Sequence, residues 1–280
     1  MAMRRLIASF ALVVASTGAL ACEFDDNLAA AFANDMNTNA GVQTLDMPKL
    51  RDGSAVSLSL RYASTFGTPK AVRVGRDITV HVPRSFVAEM LGWADVFSVC
   101  SVGACPKIKD FTAAYQKHTI TATIPTWINV LGADPEICAR RNTPTYGQYF
   151  QTVAAAGMLF IQLHEIGHAV LGHLKQGNNW TPEQEAAADA FAEYARQQAF
   201  PDKPAWRSFS AVALLPLMHR KYRTDGAVPM FCRLVPLLGE TSVAALMDRQ
   251  NCIAYQAAYQ AGLRASGALI GPETQMLVTP

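Results

Sequence analysis

Hydrophobic and polar side chains alternate over residues 55–62 and again over 77–82, the period of a strand with one face on a core. Residues 85–93, which follow Pro83, place their apolar positions at helical spacing. The stretch 118–130 is rich in Thr, Ile and Trp, is interrupted by Pro125, and reads as a further extended segment. From about residue 145 the period is helical almost to the end. Residues 147–174 predict one long helix, within which 153–163 is apolar except for Gln162. A helix without a polar face belongs in the interior. Gly177-Asn178-Asn179 ends it. Thr181 as N-cap, Pro182 in the first turn and Gln184 closing a capping box then open a helix expected to reach about residue 198. Further helices are expected at 206–222, 242–250 and 254–265, and 267–280, with Gly271 and Pro272, reads as a flexible tail.

Ahead of the strands stands a three-part pattern. Arg4 and Arg5 precede an apolar or small run over 6–20, and Ala19-Leu20-Ala21 supplies a small-x-small end. This is the form of a secretory signal peptide, 1–21. The run is too short and wrongly flanked for a membrane span of about 20 residues, and no transmembrane segment is expected in the mature chain. All six cysteines (Cys22, Cys100, Cys105, Cys138, Cys232, Cys252) follow the expected cleavage point, and an even set can pair completely in an oxidising compartment. Cys100 is expected to pair with Cys105 across a short Gly-containing loop and Cys232 with Cys252, which leaves Cys22 with Cys138. Acylation of Cys22 as a lipoprotein anchor is the less favoured alternative, because Ala19 stands where such signals carry a larger apolar residue. The expected location is exported, periplasmic or extracellular.

Cleavage changes the charge picture. It leaves 22 basic and 22 acidic residues, with no basic stripe, so nucleic acid is not an expected partner. Half of the residues are hydrophobic and 16% are charged, which suits a chain with a substantial core. We expect a single domain over 22–266, with a mixed α/β part at about 22–140 and a helical part at about 141–266.

The chemistry concentrates at His164-Glu165-Ile166-Gly167-His168. On a helix, residues four apart share a face, so both imidazoles can reach one tetrahedral metal. Glu165 then projects beside the metal without binding it, placed to take a proton from an attacking water that zinc makes nucleophilic near neutral pH. Chance puts HExxH in a chain of this length roughly once in a hundred. The motif also ends the most apolar helix, where unpaired polar groups are costly. The next helix carries Glu185-Ala186-Ala187-Ala188-Asp189. Glu185 is the expected third ligand, ahead of Glu183 and Asp189. Asp189, one turn on, is placed to accept from the distal nitrogen of His164. Glu183 and Glu193 read as solvated acids. His173 lies one position short of the longer motif with a third histidine ligand, and is expected to interact with the helix end instead.

HEIGHAVLGH followed by EQEAAADAFA resembles the glutamate-zincin metallopeptidases, in which HExxH on one helix is completed by ExxAD on the next. The segments 232–238 and 248–260 are similar to a bacterial exported family of metallopeptidases without a known substrate. The likeness covers roughly the second half of the chain and is sharp only at the zinc motifs. It implies an α+β, zincin-like fold: a small N-terminal sheet and a mostly helical C-terminal half carrying the active-site helix. It also implies zinc on His164, His168 and Glu185, Glu165 as general base, Asp189 behind His164, and a peptide or protein substrate. Such enzymes add a cationic or phenolic group for the oxyanion, and His219, within 219–223, is the candidate. Two other readings remain: a catalytically inactive binding protein on the same frame, and a metal-dependent amidase with a non-peptide substrate.

Overall fold

The structure, a computed structural model, describes residues 43–46, 57–63, 67–74, 77–101, 105, 108–117, 124–132, 134–176, 181–218, 230–238 and 249–269. The expected signal peptide, Cys22 and His219 lie outside them. Four short strands come first: β1 Gln43–Asp46, β2 Ser57–Ala63, β3 Lys70–Val74 and β4 Asp77–Pro83. They form one mixed sheet in the order β1-β2-β4-β3, with β2 and β4 parallel and the outer pairs antiparallel. The alternation over 77–82 works as expected, since Ile78, Val80 and Val82 are buried and Asp77 is exposed. The strand β3 was not expected from the sequence, and its five residues leave it on the sheet's edge.

The rest is helical. In chain order the helices are α1 Arg84–Ser101, α2 Ile108–Tyr115, α3 Trp127–Leu131, α4 Pro135–Arg141, α5 Pro144–Val170, α6 Pro182–Ala199, α7 Trp206–Phe209, α8 Met230–Leu238 and α9 Arg249–Leu269. Short 3-10 turns lie at His173–Gln176, Ser210–Ala213 and Leu215–Met218. The helix α5 starts on the cap its sequence provides, Thr143 accepting from the Tyr146 N–H and Pro144 standing in the first turn. It is long and apolar enough to cross a bilayer, against expectation, yet 94% of its most apolar stretch is buried by the protein around it. Gly157 lets it pack close: a Cβ there would lie 2.5 Å from Val212 and 3.0 Å from Met90.

One buried ionic cluster ties the front of α5 to its neighbours. Asp95 of α1 accepts from Arg141 Nε at 3.0 Å and Nη2, from the Tyr146 hydroxyl at 2.7 Å and from the Trp127 N–H at 2.7 Å. That last bond explains a correction. Residues 127–130, expected to be extended, are helical. Thr126 caps α3 by accepting from the Asn129 N–H, and the Trp127 ring is buried against Phe111 with centroids 5.6 Å apart. Burial outweighs strand propensity here. The helix expected over 206–222 is broken into α7 and two 3-10 turns, where Pro216 removes a backbone donor; 219–222 lie outside the described residues. The helix α9 runs three residues into the expected tail.

Two expected disulfides are present, Cys100–Cys105 and Cys232–Cys252, with Cα separations of 4.5 and 5.1 Å. Cys138 is also disulfide-bonded. Such bonds belong to oxidising surroundings.

Candidate metal centre

The C-terminal turns of α5 carry His164, Glu165 and His168, all buried, and α6 crosses them directly. The crossing is close because Gly167 has no side chain: a Cβ there would lie 3.1 Å from Phe191 and 3.2 Å from the Ala188 Cα. The register of α6 follows from its start. Thr181 accepts from the Gln184 N–H while the Gln184 side chain accepts from the Thr181 N–H, the reciprocal box expected from the sequence. Counting on from that cap, Glu185 and Asp189 face α5.

His164, His168 and Glu185 converge. Among the described residues they form the group suited to hold a metal ion. His164 Nε2 and His168 Nε2 are 3.0 Å apart, and the Glu185 oxygens lie 3.5 Å from the first and 3.6 Å from the second. Ligands at the zinc bond lengths of about 2.0–2.1 Å span tetrahedral edges of about 3.3–3.4 Å. The three donors fit that triangle, and their two-nitrogen, one-oxygen chemistry suits zinc. Glu165 stands beside it with Oε2 buried and without a protein partner, while the Ala71 N–H of β3 reaches the carboxylate.

Both ring nitrogens facing away from the triangle have a close polar neighbour. His164 Nδ1 lies 2.7 Å from Asp189 Oδ1, as the spacing implied. His168 Nδ1 lies 2.9 Å from His173 Nδ1, so His173 opens a 3-10 turn and stands behind the second histidine rather than at helix-end carbonyls. Sequence gave no signal for this pairing, because the turn after Gly172 (φ +80°) sets it.

Two further partners were missed. Arg233 of α8 places Nε and Nη2 on the two Asp189 oxygens at 2.8 Å each, and Nη1 3.0 Å from Glu185 Oε2. The Tyr255 hydroxyl of α9 donates to Asp189 Oδ2 at 2.6 Å. They lie within residues 232–238 and 248–260. Glu183 is exposed as read, but Glu193 is not: it is buried in a paired contact with Arg196, 2.9 Å on both arms.

The charges follow from these contacts. Burial works against a charged His164, but the Asp189 carboxylate outweighs it and holds the ring up at about 10. Burial and the charge on His164 push His168 down to about 2. Burial opposes the Glu185 charge, yet Arg233 beside it holds the carboxyl down at about 2, and Asp189 is lowered in the same way. Glu165 has no such cation in contact, and burial pushes it up to about 7. A carboxylate near 7 is suited to proton transfer in neutral water.

No family model matches the sequence, and no curated protein or solved structure matches it either.

Proposed function

We propose that the protein is an exported zinc metallopeptidase of zincin-like fold, similar to the glutamate zincins, that hydrolyses peptide bonds with Glu165 as general base. The observation that carries this is the partnerless Glu165 oxygen beside the His164–His168–Glu185 triangle. A buried carboxylate oxygen without a donor is costly unless something enters to meet it. The arrangement matches a base poised for a water or amide substrate. Zinc bound by the three residues supplies Lewis acidity at that point. Asp189 and His173 fix which nitrogen of each histidine faces the triangle. Glu185 is the most exposed of the three candidate ligands, its side chain 18% accessible. The strand β3, at the sheet's edge among the described residues, reaches the site through Ala71, and a sheet edge can pair with an extended peptide. The disulfides support export.

The test separates binding from catalysis. The purified protein should hold about one zinc per chain, and His168→Ala should lose it. Glu165→Gln should keep the zinc while cleavage of a broad peptide library falls by about 10²–10⁴-fold. Equal cleavage by wild type and Glu165→Gln would sink the mechanism. Zinc binding with no cleavage by either form would point to the binding-protein reading.

A further inference from the structure

The helix that carries Glu185 and Asp189 is gripped by two others. Arg233 of α8 spans both carboxylates with three nitrogens, and Tyr255 of α9 donates to Asp189. One guanidinium thereby orients a ligand directly and a second ligand, His164, through Asp189. Both Arg233 and Tyr255 are buried.

A covalent bond joins the two helices that carry these side chains. Cys232 precedes Arg233 in the chain and is bonded to Cys252, which stands three residues before Tyr255 and so on its face of α9. The disulfide is buried in a small cluster with Ala186 and Ala190, the α6 residues next to Glu185 and Asp189. The helix α8 spans only nine residues and carries Pro236 inside it. A helix that short is marginal by itself, so its register depends on what ties it down. The helix α9 is well seated: a Cβ on Gly262 would lie 2.8 Å from the Ala187 Cα of α6. Leu234, Val235 and Leu237 seat the later part of α8 in the main core, and the disulfide ties its first turn to α9.

We propose that Arg233 and Tyr255 are positioning residues of the metal centre, held in register by the Cys232–Cys252 disulfide, so that tight metal binding requires the oxidised chain. The proposal rests on reading His164, His168 and Glu185 as that centre. Reduction by a dithiol breaks the S–S bond, places a proton on each sulfur and closes the dithiol to its own cyclic disulfide. No charge at Glu185, Asp189 or Arg233 is removed in that step, so a loss of affinity reports lost positioning. Residues that orient metal ligands are typically worth about 10–100-fold in affinity.

Zinc affinity is measured on the full chain by competition with a chromophoric chelator, below the unfolding temperature of each variant, alongside the visible spectrum of the cobalt(II) form. The double variant Cys232→Ala/Cys252→Ala should bind zinc about 10–100-fold more weakly, with cobalt bands weakened by distortion from the tetrahedron. Wild type reduced with dithiol and then freed of it without reoxidation, so that the reagent does not compete for zinc, should match it. The control Cys100→Ala/Cys105→Ala, at the C-terminal end of α1, should bind like wild type. Arg233→Lys, which keeps the charge and cannot span both carboxylates, and Tyr255→Phe should each fall between, with the disulfide intact. Equal losses in both cysteine pairs would overturn the proposal, as would wild-type affinity in the Cys232/Cys252 variant. If that variant does not fold, Arg233→Lys decides: unchanged zinc affinity and cobalt spectrum overturn the proposal, and a loss of affinity supports it. An oxidised wild type that binds no zinc would sink the metal-centre reading itself, whereas tight binding by wild type and variants alike would sink this proposal alone.

Discussion

Two buried aspartates in this protein have almost the same surroundings. Asp95 accepts from an arginine (Arg141), a tyrosine hydroxyl (Tyr146) and one further donor, and Asp189 accepts from Arg233 and Tyr255 and lies against one further group. The difference lies in that last partner. For Asp95 it is the main-chain N–H of Trp127, which starts a short helix. For Asp189 it is the ring of His164, whose other nitrogen faces the candidate metal triangle. The second arginine also has an arm left for Glu185, 3.0 Å away. The same three residue types therefore make a knot at one end of α5 and a ligand support at the other. What a buried ion cluster does is decided by the last group it meets.

The comparison can be broken by matched substitutions. Asp95→Asn leaves Arg141 facing a neutral amide in the core, and removing one partner of a buried pair costs about 3–5 kcal/mol. Chemical denaturation should show that loss, and zinc affinity of the folded chain should stay at the wild-type value. Asp189→Asn should do the reverse in emphasis. Arg233 keeps Glu185, so the stability loss should be smaller than at Asp95, and zinc affinity, compared at a pH where His164 is deprotonated in both forms, should drop by about 10–100-fold because His164 loses its charged acceptor. Equal effects of the two variants on zinc would erase the distinction.

A pH series sharpens the same contrast with a smaller effect. In the metal-free chain His164 is held up at about 10, so it is protonated through neutral pH, while His168 and Glu185, both near 2, are already deprotonated. Zinc must displace the His164 proton. Affinity should therefore rise with pH by about tenfold per unit on the acid side of that value. Asp189→Asn removes the main group that raises His164, and so should flatten the slope above pH 7. Calorimetry in buffers of different ionisation enthalpy would count the proton released, and a slope unchanged by Asp189→Asn would show that the carboxylate does not control His164.

Much of the helical half was legible because its signals are local. The capping box at Thr181 set the register of α6, and that register put Glu185 and Asp189 where the spacing after HExxH implied. The sheet was legible where burial alternates, at β4, and illegible at β3, an edge strand with exposed Val72 and Val74. Residues 127–130 were misread because strand-forming side chains were recruited into a helix by a cap and by a carboxylate 32 positions earlier.

The sequence by itself determined the two histidines, Glu165 and the acids of α6. All of them lie on single helices, where a period of 3.6 residues converts spacing directly into a shared face. Tertiary structure alone decided that Arg233 and Tyr255, 44 and 66 positions from Asp189, meet at its carboxylate. It also decided that His173 turns back onto His168 and that Glu193 is buried rather than solvated. No period links such residues. Their contacts exist because helices pack at particular distances, set here by Gly167 and Gly262, and because a disulfide joins α8 to α9.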